Sequence, residues 1–226
     1  MAYNINFMQF NNLGIMFAKP SHLLKKTMDS FCQDVSTKVF ENASPDLLNN
    51  YHIMSNKLHY DPAQGIPAVL HSMIEKEILG CIEMYENKFQ YFNRMFNFMV
   101  DIENTPTTLE LERMWFNIQR KGEFLPLHNH SGIYTFVIWA KIPFHFQSEK
   151  DLSPNPMTIK SRAGYFQFLY TDSLGKITSY DIPVDKSYEG TICIFPSQLM
   201  HQVYPFYSTN DVRISLSGNF RLKLNG

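Results

Sequence analysis

Three histidines in two short runs have the spacing that metal ligation needs. His128-Asn129-His130 reads as H-x-H on an extended segment, where side chains two positions apart leave the same face of a strand and two imidazoles can reach one ion. His201 comes after Gly190-Thr191-Ile192-Cys193-Ile194-Phe195-Pro196, a strand with a hard stop, so a third imidazole can close the site from another strand. Further on, Arg213-Ile214-Ser215 puts a guanidinium and a hydroxyl on one strand face, a pair able to hold a carboxylate. H-x-H alone is a weak signal, because a histidine is more often a surface or satisfied core residue. A metal set together with a carboxylate clamp describes a cofactor site. Trp115, Asn117 and Tyr134 have the parity to face the same cavity, Tyr134 on the premise that one strand continues from His128, and Asn117 and Tyr134 would then hydrogen-bond bound carboxylates.

The elements that must position these residues divide the chain in two. In the first half, Ser21 caps a helix whose apolar residues Leu23, Leu24, Met28, Phe31, Cys32, Val35 and Val39 recur every three or four positions, and Ser44-Pro45-Asp46 ends or restarts it. A second helical stretch from about Ile66 carries Val69, Leu70, Met73, Ile78, Cys81, Ile82, Tyr85 and Phe89, with a break expected near Gly80 or Asn87. Asn11-Asn12 sits between two short extended segments and suggests an edge hairpin. After Asn104-Thr105-Pro106 the period becomes two. Arg113, Trp115, Asn117 and Gln119 alternate with Met114, Phe116 and Ile118, and Arg213, Ser215, Ser217, Asn219 and Arg221 alternate with Ile214, Leu216, Gly218 and Phe220. Many short strands with turn signals between them indicate a β-sandwich or barrel, braced by the helices that precede it.

Composition sets outer bounds. At 226 residues, with 44% hydrophobic and 18% charged, the chain can bury a sizeable core, and no apolar run is long enough to span a bilayer. A formal charge of −1 supplies no field to draw in a nucleic-acid duplex or an anionic membrane, so neither partner is expected. Cys32, Cys81 and Cys193 are few, far apart and set among apolar neighbours, which suits buried thiols of a cytoplasmic protein; the N-terminus lacks the pattern of a secretion signal. His22, His52, His59, His71 and His145 have no comparable partners and read as structural or exposed. With no internal repeat or linker, residues 1–226 form one expected domain, 1–108 a mainly helical support and 109–226 a β-rich core.

The run Gly122-Glu123-Phe124-Leu125-Pro126-Leu127-His128-Asn129-His130-Ser131-Gly132-Ile133-Tyr134, followed in order by Phe195-Pro196-Ser197, His201 and Arg213-Ile214-Ser215, resembles the iron(II)- and 2-oxoglutarate-dependent oxygenases. Within them it is most similar to a group common in marine bacteriophages and bacteria, which would place a phage-encoded copy in the host cytoplasm. The resemblance covers about residues 109 to 222. It implies an α+β fold built on a double-stranded β-helix, a cupin-like jelly roll with N-terminal helices packed on its major sheet. It also implies Fe(II), 2-oxoglutarate and O₂, and a hydroxylase that releases succinate and CO₂ while oxidising a small-molecule or peptidyl substrate. His128 and His201 would then be iron ligands, and Arg213, assisted by Ser215, would hold the distal carboxylate of 2-oxoglutarate. His130 stands where most members have Asp or Glu. It is taken as the third ligand, the alternative being a neighbour of a two-histidine site; Glu123, at an odd offset before His128, and Asp211, at the start of the arginine strand, are poor substitutes for the carboxylate.

Two other classes compete. The glycine and histidine spacings also resemble the two cupin motifs, although the glutamate expected after His130 is replaced by Gly132 to Thr135; a three-histidine cupin would be a 2-oxoglutarate-independent dioxygenase, an isomerase or a binding protein. A coat or lectin-like jelly roll would make the histidines incidental. Ser148 to Pro156 read as a lid or a plain connection, and the aromatic runs Phe136 to Trp139 and Tyr165 to Tyr170 as the dry wall of the site.

Overall fold

The computed structural model describes residues 14–41, 67–96, 107–152 and 161–224. The first element is a short strand, β1 (Met16–Ala18), and helix α1 (His22–Glu41) follows it. Ser21 caps α1 as its type predicts: its Oγ accepts from Leu24 N–H at 3.2 Å, while its own hydroxyl donates to Glu77 at 2.8 Å and so ties the start of α1 to the next helix. That helix, α2 (Ala68–Phe89), runs through Gly80 without the expected break. A Cβ at Gly80 would meet nothing within 4 Å, so this glycine lies on an open face and costs only helix propensity. Gln90, left-handed at φ 50°, ends α2 and opens the short α3 (Tyr91–Phe96). The expected strand before Asn11 and the stop at Ser44-Pro45-Asp46 lie outside the described residues.

The strands that follow are β2 (Thr107–Gln119), β3 (Leu125–His128), β4 (Tyr134–Lys141), β5 (Phe166–Thr171), β6 (Ile177–Ile182), β7 (Ile192–Pro196), β8 (Met200–Val203) and β9 (Arg213–Leu224), with the short helix α4 (Phe146–Glu149) after β4. They pair antiparallel into a five-stranded sheet of order β1-β7-β4-β9-β2 and a four-stranded sheet of order β3-β8-β5-β6. This is the two-sheet jelly roll with helices on the larger sheet. The helical half also supplies an edge strand, since β1 pairs with β7.

Period-two alternation divides the larger sheet between two cores. Met114 and Phe116 of β2, Tyr134, Phe136 and Ile138 of β4, Ile192 and Ile194 of β7, and Ile214, Leu216 and Phe220 of β9 face outward onto Leu24, Met28, Leu70, Ile74, Ile78 and Tyr85 of α1 and α2. Burying each such side chain contributes about 1.5–3 kcal/mol, which is how two helices of modest amphipathicity hold to the sheet. The opposite face sends Val137, Trp139, Cys193 and Phe195 inward onto Phe166 and Phe168 of the smaller sheet. Gly218 is required by close approach: a Cβ there would lie 2.5 Å from the Phe136 ring and 2.7 Å from the Arg113 carbonyl. Among the described residues no helix is long and apolar enough to cross a membrane.

Candidate active site

The inward face of the larger sheet is apolar at one side and polar at the other. Along β9 it carries Arg213, Ser215, Ser217 and Asn219, and the register sets Gln119, Asn117, Trp115 and Arg113 of β2 directly beside them. These residues, with Val137, Trp139, Phe166 and the three histidines, line one open cavity of about 710 Å³. A space of that size admits two small molecules or one larger one.

Two histidines reach the cavity from paired strands of the smaller sheet. His128 ends β3 and stands opposite His201 in β8, with their ring centroids 4.2 Å apart. His130 is not on the strand, contrary to the H-x-H expectation, because β3 stops at His128. It arrives instead on a turn pinned at both ends: His130 N–H donates to the Ser197 carbonyl at 2.9 Å, and Ile133 N–H donates to the Phe220 carbonyl at 2.7 Å. Gly132 allows this path with φ 89°, and a Cβ there would sit 2.6 Å from the Phe220 oxygen. Gln198 clamps the turn from outside, donating to the His130 carbonyl at 3.1 Å and accepting from Asn129 at 3.2 Å.

The three imidazoles offer ligand atoms that all lie within 4.8 Å of one another. His128 Nδ1 lies 2.7 Å from the Pro126 carbonyl and His201 Nδ1 lies 3.0 Å from the Leu199 carbonyl. A carbonyl can only accept, so both rings carry their proton on Nδ1 and turn the Nε2 lone pair into the cavity, the arrangement that metal-binding histidines use. His130 Nε2 and His201 Nε2 are 3.2 Å apart. Two nitrogens bound at about 2.1 Å and at right angles on one ion stand about 3 Å apart, so the donor set fits a divalent transition metal. Burial holds His201 neutral, its pKa pushed down to about 3 by desolvation among Phe166, Phe195 and Phe168 and then by His128. His130 is pushed down to about 4 by the same two causes. No carboxylate joins the cluster among the described residues.

At the other end of the cavity lies Arg213, only 4% exposed. Its Nη1 donates to the Gly164 carbonyl at 3.3 Å, its Nη2 to the Tyr204 carbonyl at 3.2 Å, and its carbon centre lies 5.9 Å from the Phe144 ring centroid. Desolvation lowers its pKa, and the chief opposing influence is the charge of Glu149. That carboxylate is buried but is spent on the backbone N–H groups of Tyr207 and Ser208, at 2.6 and 3.0 Å, and among the described residues Arg213 has no ion pair. A buried guanidinium facing a cavity without a direct ion-pair partner is a site for an anion. Ser215 and Asn117 lie between it and the histidines, with Asn117 Nδ2 donating to Ser217 Oγ at 3.2 Å.

Tyr134 corrects the parity reading. The turn through Gly132 carries the chain from the smaller sheet to the larger one, so Tyr134 and His128 do not share a strand. Tyr134 is fully buried on the helical side, where its hydroxyl donates to Glu86 at short range and its ring packs edge-on to Tyr85 and Tyr91. Of the expected aromatic wall, Trp139 and Phe166 do line the cavity, whereas Phe136 faces the helices and Tyr170 is exposed. Part of the expected lid is the helix α4, whose Glu149 fastens the 207–208 loop, and residues 153–156 lie outside the described residues. Of the poor substitutes for a carboxylate ligand, Asp211 is paired with Lys141 at 2.8 Å, and Glu123 accepts from Arg120 N–H at 2.8 Å. Val137, inside the expected wall, lines the cavity too, whereas sequence reasoning gave no role to Ser217 or Asn219, for which the alternation of β9 was the signal.

The match to a known family agrees with this geometry. Residues 113–219 match the family described as "Putative 2OG-Fe(II) oxygenase", a segment that contains all three histidines, Arg213 and Ser215. The matched segment, just under half of the chain, is thus similar to the iron(II)- and 2-oxoglutarate-dependent oxygenases, oxidoreductases whose cofactor set is Fe(II), 2-oxoglutarate and O₂, and the three-histidine cluster fits iron binding. Among solved structures the chain is similar to a prolyl-4-hydroxylase of Pseudomonas putida (13% identity over 94% of this chain and 88% of that one, TM-score 0.49). AviO1 of Streptomyces viridochromogenes Tue57 is another (10% identity, 92% and 89% coverage, TM-score 0.49). An oxidoreductase of the 2OG-Fe(II) oxygenase family from Burkholderia pseudomallei is a third (16% identity, 61% and 57% coverage, TM-score 0.34). No curated protein matches the chain in sequence.

Proposed function

We propose that this chain hydroxylates a C–H bond of a small-molecule or peptidyl substrate, with His128, His130 and His201 holding the iron and Arg213 the cosubstrate. The supporting observation is the pairing in one cavity of three converging imidazoles with a buried guanidinium that makes no ion pair among the described residues. When bound, iron with 2-oxoglutarate and O₂ supplies a C–H oxidant; one oxygen atom enters the product and the other enters succinate, with loss of CO₂.

The chain's own residues do the positioning. The Pro126 and Leu199 carbonyls fix two histidines in the ligating tautomer. Arg213, with Ser215 and Asn117 along the path, takes the distal carboxylate and orients the keto acid towards the histidines. Trp139, Phe166 and Val137 exclude water from that path. A three-histidine cupin would use the same metal set but leaves the buried Arg213 without a purpose.

The test is anaerobic addition of 2-oxoglutarate to the Fe(II)-loaded protein. A visible charge-transfer band is expected, with succinate formed once O₂ is admitted. Iron that binds without the band forming would refute the reading and favour the cupin.

A further inference from the structure

We propose that the substrate of this site carries an anionic group, a carboxylate or a phosphate, and that Arg113 receives it. The inference rests on the oxygenase reading for its choice of cavity. Arg113 lies on the cavity wall, two residues from Trp115, whose ring is 5.3 Å from that of His130. Arg213 lies six positions along β9 from the Arg113 partner, Asn219, or about 20 Å at the rise of a strand. Along this face Trp115 meets His130, and Arg113 is the next side chain beyond it on the side away from Arg213. If 2-oxoglutarate occupies the Arg213 side, the open side that contains Arg113 is left for the substrate.

A local irregularity aims Arg113 there. Leu109 and Leu111 of β2 pack on the helical side, and continued alternation would send residue 113 to that side as well. The register of β2 against β9 slips between Leu111 and Arg113, and beyond the slip Met114 and Phe116 face the helices while Arg113 faces the cavity. A bulge that redirects one side chain beside a site is a functional device more often than a defect. Of the nearby acids, Glu110 pairs with Arg221 and Lys223, and Glu112, which accepts from Ser131 at 3.5 Å, makes no ion pair with Arg113. Among the described residues Arg113 has no ion pair. Asn129, Ser131 and Asn219 line the same part of the cavity and add neutral hydrogen-bonding groups.

The chain has two tryptophans, and both Trp115 and Trp139 line the cavity, so intrinsic fluorescence reports its occupancy. With 2-oxoglutarate saturating, hexanoate is titrated against hexanamide, and hexyl phosphate against hexanol. At least one anion should bind about tenfold or more tighter than its neutral partner, and Arg113→Gln should abolish the difference while Arg113→Lys keeps part of it. Which anion wins distinguishes carboxylate from phosphate. Equal binding of both anions and their neutral partners, or a preference that survives in Arg113→Gln, overturns the proposal. The charge-transfer band is recorded on the same samples. Its absence in the parent protein would count against the oxygenase reading, whereas the fluorescence titration judges Arg113 independently.

Discussion

Arg213→Met tests how the cavity holds its cosubstrate. The guanidinium is 4% exposed, donates to two backbone carbonyls and has no carboxylate partner among the described residues. Truncating one partner of a buried, hydrogen-bonded charge pair costs about 2–5 kcal/mol, or roughly 30- to 5000-fold in affinity for 2-oxoglutarate. The free protein should respond in the opposite sense. Without cosubstrate the guanidinium is a desolvated cation, and replacing it with an apolar chain of similar length removes that penalty, offset in part by two carbonyls that lose their donor and by the buried Glu149, which loses an opposing charge but keeps its backbone donors. The melting temperature of Arg213→Met is therefore expected to match or exceed that of the parent. Arg213→Lys keeps the charge without the planar fork and should fall between the two in affinity. The assay is an anaerobic titration of 2-oxoglutarate into Fe(II)-loaded protein, read by the charge-transfer band, alongside metal analysis. Affinity within about threefold of the parent would refute the reasoning, because a buried charged contact cannot be worth so little. Loss of iron together with 2-oxoglutarate would refute it too, since Arg213 is not among the proposed ligands.

Alanine at His128, His130 or His201 should each abolish stoichiometric iron binding, measured by metal analysis after anaerobic loading; full occupancy in His130→Ala would reduce the set to two histidines. Tyr134→Phe removes a donor from Glu86 and should lower stability by about 1–3 kcal/mol in urea unfolding while leaving 2-oxoglutarate affinity unchanged; a change in that affinity would return Tyr134 to the cavity. Gly132→Ala forces a side chain into a left-handed position against the Phe220 carbonyl, and should cost about 1–3 kcal/mol in stability and weaken iron binding through the His130 turn. Burial raises the Cys32 thiol to about 12 and pushes Cys193 up as well, so neither should react with iodoacetamide at neutral pH until the protein is unfolded, as mass spectrometry of the peptides would show.

The parts of the site that were legible in the sequence are those that depend on one strand at a time. Arg213, Ser215 and Asn117 face the cavity because alternation along β9 and β2 is a local property, and the same alternation predicts the helical core at Ile214, Leu216 and Phe116. Reading failed where geometry depended on which sheet a residue joins. His128 and Tyr134 are six positions apart, but the Gly132 turn changes sheet between them, and parity has no meaning across such a turn. His130 reaches the cluster although it is off the strand, held by hydrogen bonds to Ser197 and Gln198, far away in sequence. The bulge before Arg113 is equally invisible, because it is defined by the partner strand and not by residue type. Gly80 misled for a different reason: a glycine on the exposed face of a long, well-packed helix costs too little to break it.

Charge counting links the unusual third histidine to the second arginine. Three neutral imidazoles leave the two positive charges of iron(II) uncompensated by the protein, where an Asp or Glu at position 130 would cancel one of them. With iron held by three imidazoles, the two carboxylates of 2-oxoglutarate would balance the metal; Arg213 and Lys121 are then offset by Glu123 on the wall and by Glu149 behind Arg213, and Arg113 leaves the loaded cavity with one net positive charge before any substrate enters. In a partly desolvated space such a charge is poorly screened and favours an anion over a cation or a neutral molecule. The chain as a whole, at −1, provides no long-range attraction for that anion. Recognition therefore depends on contacts at the mouth, which is where the β2 bulge places Arg113. On this reading the histidine at position 130 and the arginine at 113 are two parts of one electrostatic arrangement, the first withholding a negative charge from the metal and the second supplying the positive charge at which an incoming anion docks.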